Sequence, residues 1–360
     1  MGKLLTEIAK QLKDVNKKVQ LIYAFNGVGK TRLSREFRLL IDPKEDDNAS
    51  VKVIYYNAFT EDLFSWDNDL NGDTERKLKI HPNSFTHWVL AEQGKDQHTI
   101  GNFQHFSNTK VMPKFNEDFS AVTFSLPHDD GTIENVKISK GEERNFIWSV
   151  FYSLLEQVVE DLKESDPANR NTNIFNELEY VFIDDPVSSL DDNHLIELAV
   201  NLAKLITESQ KLKFVVSTHS PLFYNVLFNE LNNKACYMLD RKEDGTFELI
   251  EKKGDSNKSF SYHLHLKHTI EQAIEQNKIE KYHFTLLRNL YEKTANFLGH
   301  PRWSELLPDN KENYYNRIIQ FTSHSTLSNE VIPEPTGPEK QIVKFLLDYL
   351  TSNYNYWQEA

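Results

Sequence analysis

The chain has a single cysteine, Cys236, among 360 residues. That excludes an internal disulfide framework, a cysteine-rich zinc site and a paired-cysteine hook, and it fits a reducing cytoplasm. No apolar run is long enough to span a bilayer, and the N-terminus has no apolar core of the kind an export signal needs. A cytoplasmic protein with no membrane partner is therefore expected. Sustained heptads are missing too, which leaves no long coiled-coil arm. Positive charge is in short supply: 41 Lys+Arg stand against 54 Asp+Glu, a net charge of −13, which argues against a general nucleic-acid coat. The deficit is uneven. Residues 253–360 carry 12 basic against 13 acidic side chains and residues 1–252 carry 29 against 41, so RNA binding in the last part would need a local patch rather than a basic domain.

What is present begins with Val19-Gln20-Leu21-Ile22-Tyr23, an apolar run that predicts a buried strand. Ala24-Phe25-Asn26-Gly27-Val28-Gly29-Lys30-Thr31 follows, and then a helical pattern with Leu33, Phe37 and Leu40 on one face. Strand, glycine loop and helix form the setting a phosphate-binding loop needs. Gly27 and Gly29 let backbone N–H groups turn inward onto phosphate oxygens, Lys30 brings positive charge to the outer phosphates, and the Thr31 hydroxyl can bind Mg2+. Ala24 stands where the full pattern has its first glycine. A second apolar strand, Tyr180 to Ile183, ends in two carboxylates: Asp184 as a Mg2+ ligand and Asp185 as the base that polarises an attacking water. A third, Phe214 to Thr218, ends at His219, within reach of a γ-phosphate. Strands alternating with helices imply a largely parallel sheet with ligands at the strand C-termini.

Elsewhere the pattern predicts an amphipathic helix over residues 1–18, a strand over 51–56, and a stretch from 57 to 130 that is aromatic, polar and irregular with short helical pieces. A strand is expected to end at Val136–Ile138, and Ser139 to cap a helix carrying Phe146, Val150, Leu154 and Val158. From about Gly254 the chain is α-rich, with helices over 264–280, 284–298, 312–321 and 339–351. The expected domains are 1–250 and 251–360.

The motifs of the first part resemble those of ABC-type ATPases, in particular the SMC-like branch. Asn26-Gly27-Val28-Gly29-Lys30-Thr31 is similar to Walker A, Ile138-Ser139-Lys140-Gly141-Glu142 to the signature motif, and Ile183-Asp184-Asp185-Pro186 to Walker B. Ser189-Leu190-Asp191 is similar to the D-loop and Thr218-His219-Ser220 to the His switch. Five motifs in order over about 200 residues make the match specific. It implies an α/β ABC-type (SMC-like) ATPase domain binding ATP or GTP with Mg2+. Ser139, Gly141 and Glu142 of one chain would close on the nucleotide of another, in a homodimer or higher homo-oligomer. Asp185 replaces the usual glutamate, which implies slow, regulated hydrolysis, and Asn57-Ala58-Phe59-Thr60-Glu61-Asp62 is the nearest stand-in for a Q-loop.

In the second part Arg288 and Glu292 lie four apart and share a helix face, and His324 sits in a small polar loop beyond. The plain alternative is a surface salt bridge. Arg, Glu and His together can cleave RNA with no metal: one of Glu292 and His324 takes the ribose 2′-OH proton, the other protonates the leaving 5′ oxygen, and the guanidinium stabilises the phosphorane-like transition state. His263, His265 and His268 make a weaker candidate for a metal cluster. Lys253 to Tyr262 resembles the signature segment of the PrrC anticodon nucleases, and Arg288, Glu292 and His324 match that family's catalytic triad in type, order and spacing.

This resemblance covers essentially the whole chain. It implies a smaller, mostly α-helical nuclease domain that cuts tRNA, lysine tRNA in the family, 5′ of the wobble base to leave a 2′,3′-cyclic phosphate and a 5′-OH. Asp255, Ser256, Asn257 and Lys258 would help recognise the anticodon. It further implies a toxin for phage defence, kept latent by a type I DNA restriction–modification complex, with dTTP as a possible regulatory ligand. Tyr262, His263, Phe284 and Tyr291 are candidates to stack on bases; the alternative is that some are simply core, a reading at least as strong for Phe284. The competing reading is a non-catalytic ABC-type ATPase switch whose helical tail binds a partner protein.

Overall fold

The structure is a computed structural model describing residues 2–43, 50–70, 72, 74–129, 131–186, 192–242, 244–252, 262–322, 334–354 and 356. Two compact units divide the chain, Met1–Ser256 and Asn257–Ala360. In the first unit the elements run α1 (Leu5–Asp14), β1 (Val19–Tyr23), α2 (Lys30–Ile41), β2 (Val53–Tyr56), α3 (Ala58–Glu61), β3 (Phe64–Asp67), β4 (Lys77–Ile80) and α4 (Ser84–His87), with one π turn at Trp88–Glu92. Then come α5 (Asp96–Ser107), β5 (Met112–Phe115), β6 (Ala121–His128), β7 (Gly131–Ile133), α6 (Lys140–Asp161), β8 (Tyr180–Asp184), α7 (Asp192–Glu208), β9 (Lys213–Thr218), α8 (Pro221–Glu230), β10 (Lys234–Arg241) and β11 (Phe247–Glu251).

β1 and β8 are buried at every residue, as strands covered on both faces must be, and this is why both read as nearly continuous apolar runs, interrupted only by the buried Gln20 and closed by Asp184. They lie in a six-stranded sheet of order β11-β10-β1-β9-β8-β2, parallel throughout except at β10–β11. α1 and α2 cover one side, where Ile8, Leu12, Leu33 and Phe37 pack against Ile22, Phe182 and Val215. The register fixes the site: Tyr23 pairs with Thr218, and Asp184 pairs with Ser217. Three strand C-termini, β1, β9 and β8, therefore end side by side.

The stretch from 57 to 130 is not irregular. It folds into an antiparallel sheet of order β3-β4-β6-β5, with β7 paired to β6. Its strands are hard to read because three of them are only four residues long, and two of those carry lysine among few apolar residues, as in Lys77-Leu78-Lys79-Ile80, where Leu78 and Ile80 are buried and Lys79 is exposed. Val136–Ile138 is not a strand. Val136 N–H donates to Phe124 O, and the strand lies earlier, at β7. The first helix is also shorter than its periodicity suggested. α6 is buried almost all round because both sheets cover it. Phe146 meets Phe124 of β6 edge to face, and Trp148 meets Tyr56 of β2 in the same way.

The second unit consists, among the described residues, of four α-helices: α9 (Tyr262–Glu275), α10 (Lys281–Leu298), α11 (Lys311–Thr322) and α12 (Gly337–Asn353), with a short 3-10 turn at Trp303–Leu306. Leu266, Phe284, Leu287, Tyr291, Ile318, Val343 and Leu347 belong to one core. The fold is an α/β domain built on a mainly parallel sheet, followed by a smaller, mostly α-helical one.

Candidate functional site

The loop between β1 and α2 turns on two glycines. Gly27 has φ +81° and Gly29 φ +119°, values that disfavour any side chain, and the α2 helix opens directly behind them with its N-terminal amides free for an anion. Lys30 folds back over the loop and is only 7% exposed. Its Nζ donates to Ala24 O and Phe25 O, both at 3.3 Å, and sits 3.5 Å from Asp185 Oδ2. The Thr31 hydroxyl donates to Asp184 Oδ2 at 2.6 Å, and the Ser217 hydroxyl to Asp184 Oδ1 at 2.7 Å. Asp185 is left-handed, φ +54°, which carries its carboxylate sideways to His219, 2.6 Å from Nδ1. A cavity of about 280 Å³ opens among Asn26, Gly29, Lys30, Thr31, Asp184 and Asp185. The sheet order thus brings together Asn26, Gly27, Gly29, Lys30, Thr31, Asp184, Asp185 and His219.

The two carboxylates differ electrically. Burial pushes Asp184 above the usual carboxylate range, against the pull of the Ser217 and Thr31 hydroxyls. Burial would raise Asp185 as well, but the His219 hydrogen bond and the charges of Lys30 and His219 outweigh it and hold Asp185 below its ordinary value. A hard cation beside Thr31 Oγ1 and Asp184 fits this donor set: a hydroxyl and a carboxylate side by side, with room for phosphate oxygens to complete the shell.

Two cavity residues were not legible as a pair from sequence. Glu61, at the end of α3, and Arg144, in the first turns of α6, face each other with Arg144 Nε 3.4 Å from Glu61 Oε2. They lie 83 positions apart in the chain, so spacing gave no signal. Glu61 falls within the segment expected to stand in for a Q-loop, and burial raises its carboxyl.

Ser139, Gly141 and Glu142 occupy the start of α6. Ser139 caps the helix by accepting from Glu142 N, and Glu142 Oε2 accepts from Ser139 N at 2.9 Å. Ser139 and Lys140 are exposed, and none of the three signature residues lines the cavity. Asp191 lies outside the described residues.

In the second unit Arg288 and Glu292 sit on α10, one position beyond the buried Leu287 and Tyr291. Arg288 Nε donates to Glu292 Oε1 at 2.7 Å, and both side chains are 33% exposed. Glu292 borders a cavity of about 730 Å³. His324 and the segment Asp255, Ser256, Asn257 and Lys258 lie outside the described residues. Of the expected stacking residues, Phe284 and Tyr291 are corrected: both are core. Phe284 stacks on Phe321 at 4.3 Å, and Tyr291 is fully buried with its hydroxyl donating to Leu346 O at 2.8 Å. Tyr262 and His263 have side chains outside the description, as does His265. Among the described residues no group of three or more His, Cys, Asp or Glu could hold a metal. No described helix is long and apolar enough to cross a membrane.

No protein-family model matches the chain. The anticodon nuclease of Escherichia coli is 60% identical over 391 residues, spanning 100% of this chain and 99% of that protein. Among solved structures, an SMC head bound to the C-terminal winged-helix domain of ScpA aligns with 68% of this chain and 93% of its own, at 11% identity and TM-score 0.33. The RNase-L inhibitor aligns with 68% of this chain and 40% of its own, at 14% identity and TM-score 0.35. The cbiO1 protein of Clostridium perfringens, part of an ABC transporter complex, aligns with 71% of this chain and 82% of its own, at 11% identity and TM-score 0.33.

Proposed function

We propose that this chain, which belongs to the PrrC family of anticodon nucleases, is an endoribonuclease that cuts tRNA in the anticodon loop and is gated by nucleotide at its α/β domain. The observation that carries the reading is the Arg288–Glu292 pair: it is joined at 2.7 Å, about one-third exposed, and its Glu292 lines a large cavity. A pair built only for stability would gain little at that exposure, about 0–1 kcal/mol. As chemistry the same pair has work to do. Arg288 holds the Glu292 carboxylate in one orientation and brings positive charge toward a phosphate. Glu292 exchanges a proton with the ribose 2′-OH or the leaving 5′ oxygen, and His324 is assigned the complementary transfer. The product is a 2′,3′-cyclic phosphate and a 5′-OH.

Lysine tRNA as substrate, cleavage 5′ of the wobble base, latency within a type I restriction–modification complex and a role in phage defence belong to the same proposal, as does anticodon recognition by Asp255, Ser256, Asn257 and Lys258. At the α/β domain, Thr31 and Asp184 would hold Mg2+ and Lys30 the outer phosphates of ATP or GTP, with dTTP as a regulatory ligand; the cation neutralises phosphate charge when bound. Asp185 orients water, His219 orients Asp185, and Asp191 with the Ser139–Glu142 signature of a second chain completes the closed dimer.

The test is to express the protein and its H324A and E292Q variants in cells and map tRNA 3′ ends. Breaks within the anticodon loop that vanish in both variants support the reading. Intact tRNA with the wild type under nucleotide-activating conditions, or equal cleavage by the variants, would sink it.

A further inference from the structure

The cavity beside Glu292 has walls that the cleavage chemistry does not use. It is bounded by Arg302, which precedes the 3-10 turn, by Trp303 of that turn, and by Lys311 and Tyr315 of α11. Three rings lead outward from the core. Tyr291 is fully buried. Trp303 meets it edge to face at 6.2 Å and is partly exposed. Tyr315 stacks on Trp303 at 5.2 Å with the planes 23° apart, and is 38% exposed. Such a ladder fixes an aromatic surface at low entropic cost, because each ring is backed by the one behind it. Arg302 is exposed, and its guanidinium has no hydrogen bond or ion pair among the described residues. Lys311 is tethered by its Nζ to Glu305 O at 3.0 Å and keeps its charge at the rim.

We propose that this cavity receives a nucleotide next to the cleaved bond, with its base stacked on Tyr315 and its phosphate met by Arg302 and Lys311. The proposal rests on the nuclease reading above and names the element that positions the RNA. It also meets the constraint set by composition: a unit with balanced charge has to recognise RNA through a local patch. Stacking with one or two cations is the economical form of such a patch, because every base has a π-face. The acidic walls at Glu292 and Glu312 disfavour a continuous phosphate track and suit a single flipped base.

The experiment uses the full-length chain carrying E292Q, so that binding does not depend on cleavage. A fluorescein-labelled anticodon stem–loop RNA is titrated by anisotropy against this parent and against Y315L, Y315F and R302Q on the same background. Y315L keeps apolar packing on Trp303 but removes the aromatic face. It should weaken binding by about fivefold to a hundredfold, the span of one base–aromatic stack. Y315F should bind like the parent. R302Q should weaken binding and reduce the salt slope by about one phosphate contact. Equal binding by Y315L and the parent, or a parent that binds no stem–loop, overturns the proposal. Cleavage by the Glu292-bearing protein is scored separately. Tyr315-dependent binding without cleavage would remove the nuclease reading and leave the pocket, whereas cleavage indifferent to Tyr315 would do the reverse.

Discussion

Lys30 and Asp185 offer the sharpest test of how the proposed nucleotide site is built. Lys30 is 7% exposed and Asp185 17%, with 3.5 Å between charged atoms. Removing one partner of a buried pair leaves the other charge uncompensated, at a cost of about 3–5 kcal/mol. The cost here falls below that range for three reasons. Lys30 keeps two backbone carbonyls and Asn26 Oδ1 at 3.4 Å; Asp184 lies close; and an asparagine at 185 can still bond His219. We expect D185N to destabilise the first unit by about 2 kcal/mol, a fall in its melting temperature of about 4–8 °C for a domain of this size. K30M should cost less, because Asp185 retains His219. The double variant, neutral at both positions, should come back to within about 1 kcal/mol of wild type.

Thermal unfolding of the four proteins in nucleotide-free buffer, read as a double-mutant cycle, gives the coupling directly. If the two single effects add to within about 0.5 kcal/mol, Lys30 is not held by Asp185 and the argument fails. Magnesium nucleotide adds a second readout. Phosphate oxygens can replace Asp185 as the partner of Lys30, so the D185N deficit should narrow on adding it, while K30M should gain no stability from the nucleotide.

The Arg288–Glu292 pair should behave in the opposite way: E292Q should shift stability by less than about 1 kcal/mol yet cut single-turnover RNA cleavage by about 10²–10⁴-fold, and a loss of folding that matches the loss of cleavage would make it a structural bridge. S139A removes the side-chain acceptor that caps α6 and should cost about 1 kcal/mol, and S139A and K30M proteins, each unable to hydrolyse nucleotide alone, should regain hydrolysis when mixed if two chains share each site. Absence of any recovery in the mixture counts against the composite site. His283 is 2% exposed and accepts from Glu280 N at 2.9 Å, and burial holds its pKa below the ordinary value. The unfolded chain therefore takes up the proton first as pH falls through about 6.5, so the second unit should lose stability below that point; H283Q should flatten the urea-midpoint profile between about pH 7.5 and 5.5.

The elements that were legible in the sequence are those whose burial is uniform or periodic. β1, β8 and β9 read as strands because both faces are covered, and the turn from β1 into α2 read as a glycine loop because Gly27 and Gly29 supply its positive φ values. The antiparallel sheet between 57 and 133 did not read, because four-residue strands give too few alternations to stand out from loops. Glu61 and Arg144 were beyond the reach of spacing, since only the tertiary fold brings α3 to the start of α6. Phe284 and Tyr291 are a different case. They belong to a stripe with Leu287, Leu290 and Ala295 that recurs at three and four residues, so the period already marked them as core.

That stripe also explains where the candidate chemistry sits. Arg288 and Glu292 each follow a core residue by one position, which turns them about 100° round α10 from Leu287 and Tyr291. They cannot be moved out or in without rotating the helix. Rotation is resisted by the Tyr291 hydroxyl bond to Leu346 O and by the stack of Phe284 on Phe321. The buried face thus sets the orientation of the half-exposed one. The same Tyr291 begins the ring ladder that reaches Tyr315 through Trp303, so one buried side chain orients both the pair proposed to react and the surface proposed to hold the base beside it. A loop could supply the same residue types. Only a packed helix holds them within the half-ångström tolerance that proton transfer to a particular oxygen demands.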